Sequence, residues 1–185
     1  MNPTGLIPTL ETPDGPIFET AAILLWLADH HGGLGPAPLD ADRGDFLKWL
    51  FYTSNTLHPL IRMLFYPDKF IAANHIDALN AGLAPQILAG FEHLDAVAQS
   101  KPRWLNSDTP SVLDFYVAAL LRWPALYPKT TNRDWFDLTR YLGLRDIAAR
   151  IEALPCCAAL QLAEGLGETP FTNPQYPSPP EGSAT

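Results

Sequence analysis

An α+β fold, mostly helical, is what the sequence predicts: a short β-hairpin and one helix, followed by an all-helical domain. Three observations predict it. Two short apolar runs near the start flank the turn Thr12-Pro13-Asp14-Gly15; the block after them ends at the helix stop Gly32-Gly33; and from Asp40 onward apolar residues recur at three- and four-residue steps.

The hairpin comes first, with strands in Leu6-Ile7-Pro8-Thr9-Leu10-Glu11 and Pro16-Ile17-Phe18-Glu19. A two-stranded hairpin is marginal by itself, so these strands are expected to cover a core or to belong to a larger sheet. From Thr20 to His31 the chain reads as a helix with Thr20 as its cap. Its apolar residues occupy nearly every side, which predicts packing on more than one face. The turn-rich stretch from Gly32 to Pro38 reads as a linker. The expected division is residues 1–33 as a partial N-terminal domain, 34–39 as the linker, 40–170 as an all-helical domain and 171–185 as a flexible tail.

Within the helical domain, Asp40 to Phe65 predicts a long helix on Phe46, Trp49, Leu50, Leu57, Leu60, Ile61 and Leu64, bent or interrupted at Pro59. Asn74 to Gln99 predicts its antiparallel partner, kinked at Pro85. Ser111-Val112-Leu113-Asp114 is a relative of the capping box and precedes the apolar run Phe115–Trp123, the expected buried central helix. Shorter helices are expected at Trp135–Leu142, Leu144–Leu154 and Pro155–Gly165, with disorder beyond Gln175, where Pro, Ser and Gly dominate.

The composition narrows the function. Lys and Arg number 12 against 20 Asp and Glu, a net charge of -8 with no basic run, so a phosphate backbone would be repelled and no nucleic acid is expected as a partner. The longest apolar run, Ala21 to Ala28, falls well short of the ~20 residues that cross a bilayer. No membrane association is expected, and Met1 to Gly5 lacks the basic-then-apolar pattern of a secretory signal, which predicts a cytoplasmic protein. Cys156 and Cys157 are adjacent, too close for the usual disulfide span, and are expected as free thiols and small buried hydrophobes. No metal site is expected.

Four local motifs carry a resemblance. Asn2-Pro3-Thr4-Gly5-Leu6-Ile7-Pro8-Thr9-Leu10, Glu19-Thr20-Ala21-Ala22-Ile23, Asn55-Thr56-Leu57-His58-Pro59 and Ser111-Val112-Leu113-Asp114 occur in the order in which their counterparts occur in the glutathione S-transferases. The chain resembles a bacterial-type member from its third strand onward, up to Pro174. The resemblance implies part of a thioredoxin-like, glutathione-binding domain followed by the family's all-α C-terminal domain. It implies a cis peptide before Pro8, which would turn the backbone N–H and C=O of Ile7 outward to pair with the cysteinyl unit of glutathione. It further implies that Glu19 and Thr20, at a helix N-terminus, receive the γ-glutamyl carboxylate.

His58, with Arg62 one turn on and Tyr66 beyond, is expected to line a second-substrate pocket for a hydrophobic electrophile, joined by Trp123 and Tyr127. Ser111 and Asp114 are expected to cap the central helix and to do no chemistry. A homodimer built on the helices Thr20–His31 and Asp40–Phe65 is implied, as is a role in detoxification. The family's activating Ser, Tyr or Cys lies before the segments matched here, so the catalytic residue is unknown, with His58 the candidate. Two readings therefore stand: a transferase that moves the glutathione thiolate to an electrophile, or a non-catalytic dimeric module or inactive truncated homologue with little turnover. Read without the family, Thr20 is simply a helix cap and His58 a packed helix residue.

Overall fold

The computed structural model describes residues 2–129 and 131–179. Strands β1 (Thr9–Thr12) and β2 (Gly15–Phe18) pair antiparallel, with Thr9 opposite Phe18 and Thr12 opposite Gly15. The Thr12 hydroxyl locks the turn, donating to the Gly15 carbonyl at 2.7 Å and accepting from the Asp14 N–H at 3.3 Å. Gly15 takes φ 117°, a region that side chains disfavour.

Helix α1 (Thr20–His31) follows at once. Thr20 is not its cap, contrary to expectation: Glu19 holds the cap position with φ 74° and ψ 118°, and no side chain bonds to the first turn. The chain must reverse sharply between β2 and α1, and a left-handed residue makes that reversal, so Thr20 falls one place inside the helix. Ala21, Ile23 and Ala28 are buried, while Leu24, Leu25, Trp26 and Leu27 are only half-buried, less than the all-round apolar composition predicts.

Arg43 opens α2 (Arg43–Tyr52) and fastens the linker. Its Nη1 donates to Asp29 Oδ1 at 2.8 Å and to the Pro36 carbonyl at 2.6 Å, and its Nη2 donates to Asp29 Oδ2 at 2.8 Å. A planar guanidinium gripping both carboxylate oxygens fixes α1, the linker and α2 in one relative orientation. The Val112 N–H donates to the Leu34 carbonyl at 2.8 Å and ties the linker to the central helix as well.

The long helix expected over 40–65 begins instead at Arg43 and is built in three pieces: α2, a π-helical turn at Thr53–Leu57 and α3 (His58–Phe65). Pro59 has no N–H for the carbonyl one turn back, so the hydrogen-bond ladder is rewired just upstream of it. Helix α4 (Ile76–Gln99) carries Pro85 inside, and α5 (Val112–Leu126), α6 (Leu142–Glu152) and α7 (Pro155–Glu164) complete the order.

Phe46, Leu50, Leu57 and Ile61 from α2–α3, Ile87, Phe91 and Leu94 from α4, Leu113, Val117 and Leu121 from α5, and Leu144 and Ile147 from α6 form one continuous core. Close approaches depend on glycine: a Cβ on Gly90 would stand 2.9 Å from Leu57 Cδ1, and one on Gly143 would stand 2.8 Å from Ala98 Cβ. Asp95, on α4, accepts from the Leu144 N–H at 3.0 Å and so satisfies the start of α6 from a neighbouring helix.

Two further expectations need correction. The helix expected at Trp135–Leu142 is only a 3₁₀ turn, Leu138–Arg140, because Asp137 accepts from the Thr139 N–H at 2.9 Å and starts the turn there; α6 then begins at Leu142. The expected tail at 171–185 is packed over its described part. Glu152 accepts from the N–H groups of Phe171 and Thr172, both at 2.7 Å, and Arg122 donates to the carbonyls of Pro170 at 3.1 Å and Gln175 at 2.6 Å. Tyr176 donates to the Leu126 carbonyl at 2.8 Å. Residues 180–185 lie outside the described residues.

Candidate functional site

The Asn-Pro-x-Gly segment is a self-contained turn. Asn2 Oδ1 accepts from the Thr4 N–H at 2.9 Å, its Nδ2 donates to the Leu6 carbonyl at 2.8 Å, and Gly5 takes φ 68°. Asn and Gly are there because one side chain must imitate a backbone partner and one residue must turn left-handed. Ile7 follows at 82% exposure and the Ile7–Pro8 peptide is cis. An isoleucine this exposed, just ahead of a strand, is placed where its backbone groups can meet a ligand.

Glu19 is exposed and Thr20 half-buried at the head of α1. At this end the Ile23 N–H donates to the Glu19 carbonyl at 3.0 Å. The N–H groups of the first turn have no partner within a helix, so they favour an anion. A non-glycine residue at φ 74° is strained, and strain of this kind gathers at binding sites.

Across from α1 stands an aromatic group that joins α3 to α5. His58 Nδ1 lies 2.6 Å from the Tyr116 hydroxyl. The His58 ring meets that of Tyr116 edge-on at 5.7 Å and that of Trp123 at 5.1 Å. Phe65 continues the wall, 6.0 Å from Trp123 and 4.5 Å from both Tyr66 and Tyr127. Arg62 stacks over the Phe70 ring at 5.6 Å.

Burial, then the positive charge of Arg62, holds His58 below its ordinary pKa, so the ring is neutral at neutral pH. Burial pushes the Tyr116 phenol well up, and the Glu19 carboxylate adds to the rise. That second cause joins the two halves: Glu19, on the hairpin side, is close enough for its charge to be felt by Tyr116, whose hydroxyl touches His58. Tyr116 is absent from the residues singled out in the sequence. It stands seven residues before Trp123, two full turns along the same helix face, which is the signal that could have found it.

Ser111 and Asp114 stand apart from this group and form a capping box. Asp114 accepts from the N–H groups of Ser111 at 2.8 Å and Asn106 at 2.7 Å. Burial raises its pKa against those donors and the charge of Arg150, which is anchored on the Ser107 carbonyl and on Asn106 Oδ1. The cysteines separate: Cys157 is buried, with its thiol pushed up by burial, Glu152 and Cys156, but Cys156 is exposed, because neighbouring residues on a helix face different ways. The expectation of two buried thiols fails for Cys156. Among the described residues, no group of three or more His, Cys, Asp or Glu side chains is placed to hold a metal ion, and no helix is long and apolar enough to cross a membrane.

No family model matches the sequence. Among curated proteins the chain is 29% identical over 174 residues to glutathione S-transferase GST-4.5 of Xanthomonas campestris pv. campestris, covering 90% of this chain and 79% of the relative. It is 28% identical over 155 residues to maleylpyruvate isomerase of Ralstonia sp, covering 80% of this chain and 69% of the relative. Among solved structures, a sphingomonad glutathione S-transferase complexed with glutathione matches with a TM-score of 0.69 at 27% identity, over 88% of this chain and 75% of that one. The relatives in sequence and in structure alike include bacterial glutathione S-transferases.

Proposed function

We propose that this glutathione S-transferase-like chain binds glutathione between the Ile7–Glu19 edge and the His58–Tyr116 group, and transfers its thiolate to an electrophilic small molecule. The observation that supports it is that the Glu19 carboxylate, at the uncapped head of α1, acts on Tyr116, whose hydroxyl touches the neutral His58 imidazole. The backbone N–H and C=O of Ile7 pair with the cysteinyl unit as an added strand would. The first N–H groups of α1 and the Thr20 hydroxyl take the γ-glutamyl carboxylate, while the Glu19 carboxylate takes the adjacent ammonium. Tyr66, with Phe65, Trp123 and Tyr127, forms an aromatic wall for the electrophile, flanked by His58 and Arg62. In the reaction the sulfur lone pair attacks the electrophilic carbon and a C–S bond forms. The leaving group departs with its bonding pair, or the electrons move onto a conjugated carbonyl, and the thiol proton passes to solvent. His58 is the candidate to stabilise the sulfur as its charge develops.

The reading includes a homodimer, supported by the exposed Phe51 on α2 and the half-buried apolar residues of α1. It also includes a detoxifying role in the cytoplasm, where two free thiols are at home. Calorimetry with glutathione tests the binding site. Thr20→Ala, removing one hydrogen bond to a charged group, is expected to weaken binding by about 10- to 100-fold. Unchanged affinity in both Thr20→Ala and Glu19→Ala would move the ligand elsewhere. Conjugation of a reactive aryl halide above the buffer rate separates the transferase from a non-catalytic binding module, and light scattering showing a monomer at micromolar concentration would remove the dimer.

A further inference from the structure

We propose that Tyr116 is a positioning residue: its hydroxyl donates to His58 Nδ1 and holds the imidazole as the tautomer protonated on Nε2, which leaves an N–H donor for the sulfur of glutathione. The second half of that statement rests on the glutathione reading above; the first half does not. One proton lies between the two side chains, and geometry and acid–base chemistry agree on which atom carries it. The separation is 2.6 Å. N–H donors keep about 2.9–3.0 Å from an oxygen, whereas hydroxyl donors come closer. A neutral imidazole nitrogen, whose conjugate acid has a pKa of about 6.5, is a far more basic acceptor than the oxygen of a neutral phenol, which is protonated only in strong acid. The phenol O–H is also a stronger acid than the imidazole N–H. The opposite arrangement, Nδ1–H donating to the phenol oxygen, would leave the Tyr116 hydrogen without an acceptor at a residue only 5% exposed.

The surroundings keep both groups in the required states. Burial and Arg62 disfavour a protonated His58, and burial with the Glu19 charge disfavours an ionised Tyr116. The imidazole cannot easily turn over to exchange its nitrogens, because Trp123 stands 5.1 Å away at 61° and Tyr116 stands 5.7 Å away at 76°. The two ring nitrogens point in different directions, so an Nδ1 fixed on α5 sends Nε2 away from α5. Without Tyr116 the ring would divide its proton between both nitrogens, and only part of the population would present the donor.

Long-range ¹H–¹⁵N correlation of the histidine side chains in the full chain, at a pH where the ring is neutral, reads the tautomer directly. The expected result is His58 Nδ1 in the pyridine-like range and Nε2 in the pyrrole-like range. The reverse order in the wild-type protein overturns the proposal and needs no variant. In Tyr116→Phe both nitrogens are expected to move toward intermediate shifts while the backbone amide spectrum keeps its dispersion; a variant with unchanged His58 shifts would also overturn it. Addition of glutathione should then move Nε2 more than Nδ1. A fixed tautomer with no response at Nε2 would uphold the positioning by Tyr116 and sink the glutathione reading instead.

Discussion

Replacing Asp114 with alanine removes the acceptor of two backbone N–H groups, those of Ser111 and Asn106, at 2.8 and 2.7 Å. Ser111 is 2% exposed and Asn106 1%, so water cannot take the place of the carboxylate without local opening. Each buried donor left alone costs ~1–3 kcal/mol, which gives ~2–6 kcal/mol for the pair. Asp114 is itself buried, and the rise in its pKa shows that its ionised form is poorly solvated there, so removing it returns part of that sum. A net loss of about 3 kcal/mol is expected, a large effect for one substitution. For a chain of this length that corresponds to a fall in Tm of ~6–12 °C. Asn106 takes φ 55°, and its backbone loses one of the bonds that hold it there, so the segment between α4 and α5 should loosen first. Thermal unfolding followed by far-UV circular dichroism measures the loss, with Ser111→Ala as the comparison at about 1 kcal/mol. A Tm within a degree of the wild type, or lost glutathione binding at an unchanged Tm, would refute a purely structural role.

Gly143→Ala should destabilise by ~1–3 kcal/mol in urea, because the new methyl group would stand 2.8 Å from both Ala98 Cβ and the Gln99 nitrogen where α6 crosses α4; unchanged stability would mean that the helices have room to part. His58 has a folded pKa below the ordinary 6.5, so the stability tied to its neutral form is full above about that pH and lost as pH falls through the folded value. His58→Gln should therefore flatten the acid limb of the stability curve, and an unaltered limb would contradict the burial of the ring. A small thiol reagent should label Cys156 in the native protein and spare the buried Cys157, giving one fast equivalent; two equally fast thiols would show that α7 opens readily.

Elements whose residues satisfy one another locally were readable in the sequence. The hairpin turn, the capping box and the apolar runs of α4 and α5 each depend on partners within a few residues, and short-range pattern carries that information. What escaped depends on partners far along the chain. The segment after Gly167 has the composition of a disordered tail, yet it is held by Glu152 and by Arg122, which is 48 residues from its acceptor Pro170. The misplaced cap of α1 has a different cause, since a Thr at a strand-to-helix junction suits either the cap or the next position, and only the backbone of Glu19 decides. The candidate site was half legible. His58, Glu19 and Thr20 stand in motifs, but Tyr116 lies inside an apolar run where an aromatic residue reads as core, and only the approach of α3 to α5 gives its hydroxyl a role.

Satisfied bonds separate the structural polar residues of this molecule from those able to serve a ligand. The Arg43 guanidinium is held by both oxygens of Asp29 and by the Pro36 carbonyl, and Asp114 receives two backbone donors and the Ser111 hydroxyl. A ligand could recruit either group only by breaking bonds that hold helices together. At Glu19, the head of α1 and His58 the arrangement differs. Glu19 is exposed, the first turn of α1 has no side-chain cap, and the bond from Tyr116 engages one nitrogen of His58 and not the other. Such groups keep bonding capacity that a ligand can take up without breaking a bond inside the fold. A ligand that supplies a carboxylate to the head of α1, a strand-like backbone to Ile7 and a sulfur to Nε2 would meet all three needs at once. A molecule offering only one of these features should bind far more weakly than the tripeptide, and competition calorimetry with glutamate, with cysteine and with glutathione can measure that difference.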